Sequence, residues 1–287
     1  MTAPEPLPRD SLRPRIVSGA LAFAVAIALI ALGGWAVVIP IAVLGGWATH
    51  EYAAMLRNHG VRLREWQMVT GAVLLIVAGA PDVGALAPGV AIRDLVLALA
   101  VLLLLVFEVI SPQPDSVQRL AYSAFGLLYI PWLLGYVVLL RNFPDPIAGR
   151  WTLLLPLLAT FATDAGAFLI GRRFGRTRLA PEISPRKTVE GAVGGLAVSF
   201  IVVLAYSVLY RGTLFAGELG LINVALISLL VSSSAQLGDL AASLVKRTLQ
   251  VKDSGSFLPG HGGVLDRTDS VLFTVPLTYF TLRLIGA

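Results

Sequence analysis

The fold class this sequence predicts is all-α: a polytopic integral membrane bundle of about nine transmembrane helices. Three observations carry it. Hydrophobic residues make up 56% of the chain and charged residues only 14%, where a soluble domain carries about 25% charged residues. Mean hydropathy is +0.81. Runs of about 18 or more mostly apolar residues recur along the whole length, as transmembrane helices require. The 287 residues contain no cysteine, which excludes a disulfide framework, a thiolate nucleophile and a zinc–thiolate site.

Residues 1–15, "MTAPEPLPRDSLRPR", are charged and rich in proline and read as a disordered cytosolic tail. The apolar run after them is longer than the core of a signal peptide and leads at once into another span. It therefore reads as a retained first helix. Spans are expected at 16–33, 35–56, 66–82, 92–110, 119–140, 151–171, 189–210, 219–246 and 268–286. Gly33 and Gly34 leave so little chain between the first two that these form a hairpin or one bent element. "GAPDVGALAPG" interrupts the third. The charged motifs divide the chain into an N-terminal helical region, 16–145, and a C-terminal catalytic region, 146–287.

Lysine and arginine orient the bundle. The N-terminus and every second loop after it hold seventeen of the 22 cations; Arg93, Arg141, Arg150, Arg211 and Arg283 fall on the other side. The positive-inside rule then puts the N-terminus in the cytoplasm and the C-terminus outside. The net charge of +5 is mostly a topology signal beside anionic headgroups, and nucleic acid is not an expected partner.

The eighth span reads "ALISLLVSSSAQLGDLAASLVKRTLQVKD". Ser232, Gln236, Asp239, Ser243 and Lys246 recur at steps of four and three, which keeps them on one helix face. A carboxylate in a membrane span is costly and by default marks function. The structural alternative is an internal Asp239–Lys246 ion pair that holds helices together. The stripe runs straight into "KDSGSFLPGHGGVLDRTDS", Lys252 to Ser270. In its "PGHGG", Gly260, Gly262 and Gly263 flank His261, and such a backbone approaches a ligand closely and offers N–H groups to an anion. Asp266 and Asp269 follow, three apart, at the start of the last span; Asp269 alone also suits a helix N-cap. Carboxylates with neighbouring cations are what a magnesium–phosphate site needs, since Mg²⁺ takes oxygen ligands and Lys and Arg take phosphate oxygens.

A second constellation closes the sixth span: "TDAGAFLIGRRFGRTRLAPEISPRKTVEGAVGG". Asp164 lies inside the apolar stretch, and Arg172, Arg173, Arg176 and Arg178 follow in seven residues. Ser184 is placed to cap a helix, Pro185 to occupy its first position and Lys187 its first turn. A helix N-terminus with Arg186 and Lys187 is a ready anion site. A cation there opposes the macrodipole, which an anionic ligand would offset, and Glu190 shares that turn.

Gly238 to Ser270 resembles the signature of the phosphatidate cytidylyltransferases (CDP-diacylglycerol synthases). The likeness rests on Ser243, Lys246–Arg247, Lys252–Asp253 with Gly255, Pro259–Gly263, and Asp266–Asp269. The upstream block from Asp164 to Gly195 is similar to that family's second characteristic segment. The resemblance implies that CTP and phosphatidic acid give CDP-diacylglycerol and pyrophosphate at the cytosolic face of a bacterial inner membrane. It implies a Mg²⁺ requirement, with a second cation left open, and suggests a homodimer. The roles it implies make Lys246, Asp266, Asp239 and Lys252 catalytic. Asp239 and Asp266 ligate metal, and Asp269 is a third ligand or supports one. Lys246, Arg247 and Lys252 contact CTP or pyrophosphate oxygens, and Asp253 is either a ligand or orients Lys252. Ser243 bonds phosphate, Arg186 and Lys187 bind phosphatidate or the triphosphate, and His261 contacts ligand. Gly260, Gly262, Gly263, Arg267, Ser184, Glu190 and Asp164 complete the substrate-binding set. The competing class is an ion-coupled transporter that uses Asp164, Asp239 and Lys246 as a polar path; an internal repeat would favour it, and none is evident.

Overall fold

A computed structural model describes residues 23–83, 85–87, 90–210, 220–255 and 262–286. The expected tail at 1–15, Arg211, and the candidates Gly260 and His261 lie outside the described residues.

The chain is mostly helical. Its helices are α1 (Phe23–Leu32), α2 (Trp35–Asn58), α3 (Glu65–Val77), α4 (Ile92–Ile110), α5 (Ser116–Leu127), α6 (Tyr136–Arg141), α7 (Gly149–Phe174), α8 (Val189–Leu209), α9 (Leu221–Thr248) and α10 (Leu265–Leu284). Two small antiparallel pairs join them: β1 (Ala85–Ala87) with β2 (Val90–Ala91), and β3 (Arg178–Ala180) with β4 (Ser184–Thr188). The helices lie where apolar runs were expected. Among the described residues, four helical stretches are long and apolar enough to cross a membrane: Ser116–Arg141, α7, α8 and α9. This makes the chain an integral membrane protein. α10 has the length, but it carries Asp266, Arg267, Asp269 and Arg283.

Local chemistry sets the joints. Gly33 and Gly34 have φ of 69° and 52°, values that most side chains resist, so the chain breaks between α1 and α2 where the hairpin or bend was expected. Between α5 and α6 the chain widens to a π-helical turn over Leu128–Trp132. Pro131 lies within it and brings no N–H to the ladder. Arg141 is buried and donates to the carbonyls of Ile30 (2.6 Å) and Pro146 (2.8 Å). It thereby pairs backbone oxygens on both sides of this joint, one at the end of α1 and one in the loop before α7.

The N-terminal helices enclose Tyr52, Leu56, Met68, Leu75, Ile76, Leu127 and Ile130, all buried. In the C-terminal half, glycine lets helices meet backbone to backbone. A Cβ on Gly195 would stand 2.6 Å from the Thr163 carbonyl oxygen, and one on Gly238 would stand 2.6 Å from that of Asp269. "GAVGG" is therefore spent inside the chain, on the α7–α8 contact, and Gly238 seats α9 on α10.

One local expectation is corrected. Ser184 does not cap a helix, and Lys187 is not in a first helical turn: Ser184–Thr188 is strand β4, paired with β3. The helix begins at Val189, with Thr188 as its N-cap; the Thr188 hydroxyl accepts the Gly191 N–H at 3.2 Å. Pro185 has no N–H to lose at the edge of a two-stranded hairpin, so the motif that fits a helix start fits this strand equally well.

Candidate active site

The stripe on α9 is real, and its two charged members have different partners. Ser232 is fully buried, and Gln236 donates from Nε2 to the Ala192 carbonyl at 3.1 Å and to the Ser232 hydroxyl at 3.4 Å. Asp239 pairs with Lys187 of β4 at 2.8 Å and accepts from the Ser243 hydroxyl at 3.4 Å. Lys246 pairs with Asp266 of α10. The internal Asp239–Lys246 pair is absent from these described contacts. The two charges turn to opposite neighbours, which ties α9 to β4 on one side and to α10 on the other.

Around Asp266 the chain is held tightly. α9 ends with the Val251 N–H bonded to the Lys246 carbonyl at 2.9 Å and with Gln250 at φ 54°. This left-handed cap reverses the chain and delivers the Lys252–Gly255 turn to α10. Asp266 Oδ2 then accepts from the Ser254 N–H (2.8 Å), the Ser254 hydroxyl (3.0 Å) and the Gly263 N–H (3.0 Å). Burial pushes this carboxyl up, but Lys246 and the two N–H donors outweigh it and hold it below the usual carboxylate range. Asp266 sits ahead of the expected span 268–286. Gly262 adopts φ 79°, and a Cβ there would stand 2.8 Å from Asp266 Oδ2, so both its conformation and its size are required.

Asp269 accepts from the Ser270 N–H that follows it at 2.7 Å and does not cap α10. It lies within electrostatic reach of Asp239, Lys246 and Asp266. Lys252, Asp253, Arg247 and Arg267 are exposed at the same end.

On the other side of Asp239 opens a cavity of about 780 Å³. Asp164, Arg172, Arg176, Arg178, Arg186, Lys187 and Asp239 give it a charged lining, and Ala167, Phe168 and Leu179 an apolar one. Lys246 does not line it. Glu190 holds its rim: its carboxylate accepts the N–H groups of Arg176 (3.0 Å) and Thr177 (3.1 Å). Ser184 is half-buried in β4.

The sequence reading missed one carboxylate. Glu51 of α2 is 4% exposed and accepts from the Ser254 hydroxyl and from the N–H groups of Val264 and Leu265, each at 3.0 Å. It sits in an apolar run like Asp164 and Asp239, and that same signal was there to find it.

Among the described residues no three carboxylates or imidazoles gather into a metal cage. The donor set still fits Mg²⁺, which prefers one or two carboxylates completed by substrate phosphates and water. The arrangement offers two lysine–aspartate pairs across three elements, β4, α9 and α10, with a basic cavity beside one of them. Lys and Arg side chains in such an array are chemically suited to polyphosphate and phosphate monoester oxygens.

Residues 13–285 match the model of the cytidylyltransferase family. A phosphatidate cytidylyltransferase of Bacillus subtilis (strain 168) is 33% identical over 274 residues, covering 95% of this chain and 98% of its own length. One from Synechocystis is 34% identical over 305 aligned positions, 94% of this chain and 96% of its own. One from Haemophilus influenzae is 39% identical over 160 residues, 55% of each chain.

Proposed function

We propose, from the premise that this chain belongs to the cytidylyltransferase family, that it makes CDP-diacylglycerol: it transfers the cytidylyl group of CTP to phosphatidic acid and releases pyrophosphate. The observation that carries the reading is the pair of lysine–aspartate contacts, Lys246–Asp266 and Lys187–Asp239, set beside the basic cavity.

In the reaction an oxygen of the lipid phosphate attacks the α-phosphorus of CTP, and the bond to the bridging oxygen of the departing pyrophosphate breaks. The attacking oxygen is already ionised, so no strong general base is needed. The burden on the protein is alignment and charge neutralisation. Lys246, Arg247 and Lys252 take the triphosphate and then the pyrophosphate. Arg186 and Lys187, with Arg172, Arg176 and Arg178, take the lipid phosphate in the cavity, whose apolar wall admits the start of the acyl chains. Asp239 and Asp266 would hold Mg²⁺, with Asp269 as a further ligand or a support for one, and the ion when bound would neutralise phosphate charge. Lys187 and Lys246 occupy two of those carboxylates, and a metal–nucleotide complex would share them.

The finer topology belongs to the same proposal. We read nine spans, with the N-terminus and the site in the cytoplasm of a bacterial inner membrane, where the seventeen cations lie and CTP is found. The region 16–145 scaffolds the catalytic region 146–287, and the assembly is a homodimer, as the family resemblance suggests.

The test is product formation by purified protein in detergent–phosphatidate micelles with labelled CTP. Labelled CDP-diacylglycerol and equimolar pyrophosphate, both lost without Mg²⁺ and in Asp266→Asn, are expected. Well-folded protein that turns over no CTP would refute the reading.

A further inference from the structure

α10 begins with no capping side chain of its own, although its first N–H groups lack intrahelical partners. Those of Val264 and Leu265 go to Glu51, a residue of α2, 213 and 214 positions away in sequence. The same carboxylate takes the hydroxyl of Ser254, whose N–H and hydroxyl also meet Asp266. Ser254 has one hydroxyl proton and stands 3.0 Å from both carboxylates, so it bridges them. Two glycines close the slot. A Cβ on Gly255 would stand 2.6 Å from Glu51 Oε1, and one on Gly263 would overlap Ser254 Oγ and Glu51 Oε2. These are the last glycine of "KDSG" and the last of "PGHGG". The N–H groups of Gly263, Val264 and Leu265 thus serve the protein's own carboxylates. At these positions glycine makes room for Glu51.

We infer that Glu51 is a positioning residue for the CTP side of the site: it seats the Lys252–Gly255 turn and the start of α10, and so sets Asp266 against Lys246. It touches no substrate. It acts on one substrate only, because its bonded partners lie at 254, 264 and 265 while the cavity is built from α7–α9, β3 and β4. This rests on the cytidylyl-transfer reading.

The experiment is steady-state kinetics of full-length Glu51→Gln in phosphatidate micelles, with both substrates varied. The neutral amide keeps the shape but offers one acceptor where the carboxylate offers two. KM for CTP is expected to rise at least about tenfold while KM for phosphatidate stays within about twofold. A merely structural Glu51 would lower the folded fraction, and with it kcat, and leave both KM values alone. Loss of kcat only, a parallel rise of both KM values, or no change overturns the inference. If Glu51→Gln does not fold, Ser254→Ala removes the bridge to Asp266 and is expected to show the same one-sided rise, at about threefold; unchanged KM values there overturn it as well. Wild-type protein that makes no CDP-diacylglycerol would fail the parent reading instead, so the two failures are distinct.

Discussion

Gly255→Ala is the sharpest structural perturbation available at this site. The added Cβ would stand 2.6 Å from Glu51 Oε1, 2.8 Å from Cδ and 3.1 Å from Cγ, where ordinary contact begins at 3.4 Å. The carboxylate has to retreat by about 0.8 Å, the difference between 3.4 and 2.6 Å. Glu51 is not a free end that gives way. It is 4% exposed and held by three bonds at 3.0 Å. A retreat of that size stretches them toward about 3.8 Å, beyond hydrogen-bonding range. Bonds to a charged group are worth about 1.5–3 kcal/mol each, and overpacking costs about 1–3 kcal/mol. These overlap, so the expected loss is about 2–4 kcal/mol in all. If about 1.4 kcal/mol of it falls on the placement of Asp266, kcat/KM for CTP drops about tenfold.

The assay is cytidylyl transfer beside thermal unfolding in the same detergent, with Gly220→Ala as control. Gly220 has nothing within 4 Å of a Cβ and a φ of −57°, so that change is expected to stay within about 0.5 kcal/mol. Adding Glu51→Asp to Gly255→Ala shortens the side chain by one methylene, about 1.5 Å, and should recover part of the loss. If Gly255→Ala melts and turns over like Gly220→Ala, the slot is not tight and the reasoning is wrong.

Four further outcomes are expected. Lys246→Met leaves Asp266, at 11% exposure, with N–H and hydroxyl donors but no cation. It should cost about 3 kcal/mol in chemical unfolding, the low end for a broken buried pair, and abolish transfer. Lys187→Met should cost less than about 1 kcal/mol in the same assay, because its pair with Asp239 is 23% and 39% exposed and such pairs contribute little; transfer should nevertheless fall about a hundredfold, since the reading asks about 2.7 kcal/mol of phosphate stabilisation from that lysine. Thr188→Ala removes the acceptor for the Gly191 N–H and should lower stability by about 1 kcal/mol, with KM for phosphatidate rising as β4 loosens. Chelation by EDTA should stop turnover, and added Mg²⁺ should restore it; turnover that survives exhaustive chelation refutes the metal assignment.

The helices were legible because a bilayer dictates their length and apolarity whatever their neighbours are. The stripe from Ser232 to Lys246 was legible because its spacing matches the helix period. Its partners were not, since a period names a face and not what lies opposite. Asp239 and Lys246, seven residues apart on one helix, left an internal pair open as the structural alternative, and the fold gives each a different lysine or aspartate. The hairpin of β3 and β4 was missed because "SPRKT" suits a helix start as well as an edge strand, and only pairing with Arg178–Ala180 decides between them. Glu51 is the instructive omission. It stands beside His50 toward the end of an expected span, and no helical stripe or glycine-rich motif marks it as they mark Asp239 and Asp266. Backbone accounting would have demanded it. A helix that starts after a glycine-rich loop, with no Ser, Thr, Asp or Asn at its N-cap, still has N–H groups to satisfy. Val264 and Leu265 are buried, so no bulk water is at hand to satisfy them. Some acceptor must therefore come from elsewhere in the chain, and an unassigned carboxylate in an apolar helix is the group best able to supply it. By that logic the N-terminal helices are more than a membrane anchor: through Glu51 they complete the start of the helix that carries Asp266 and Asp269.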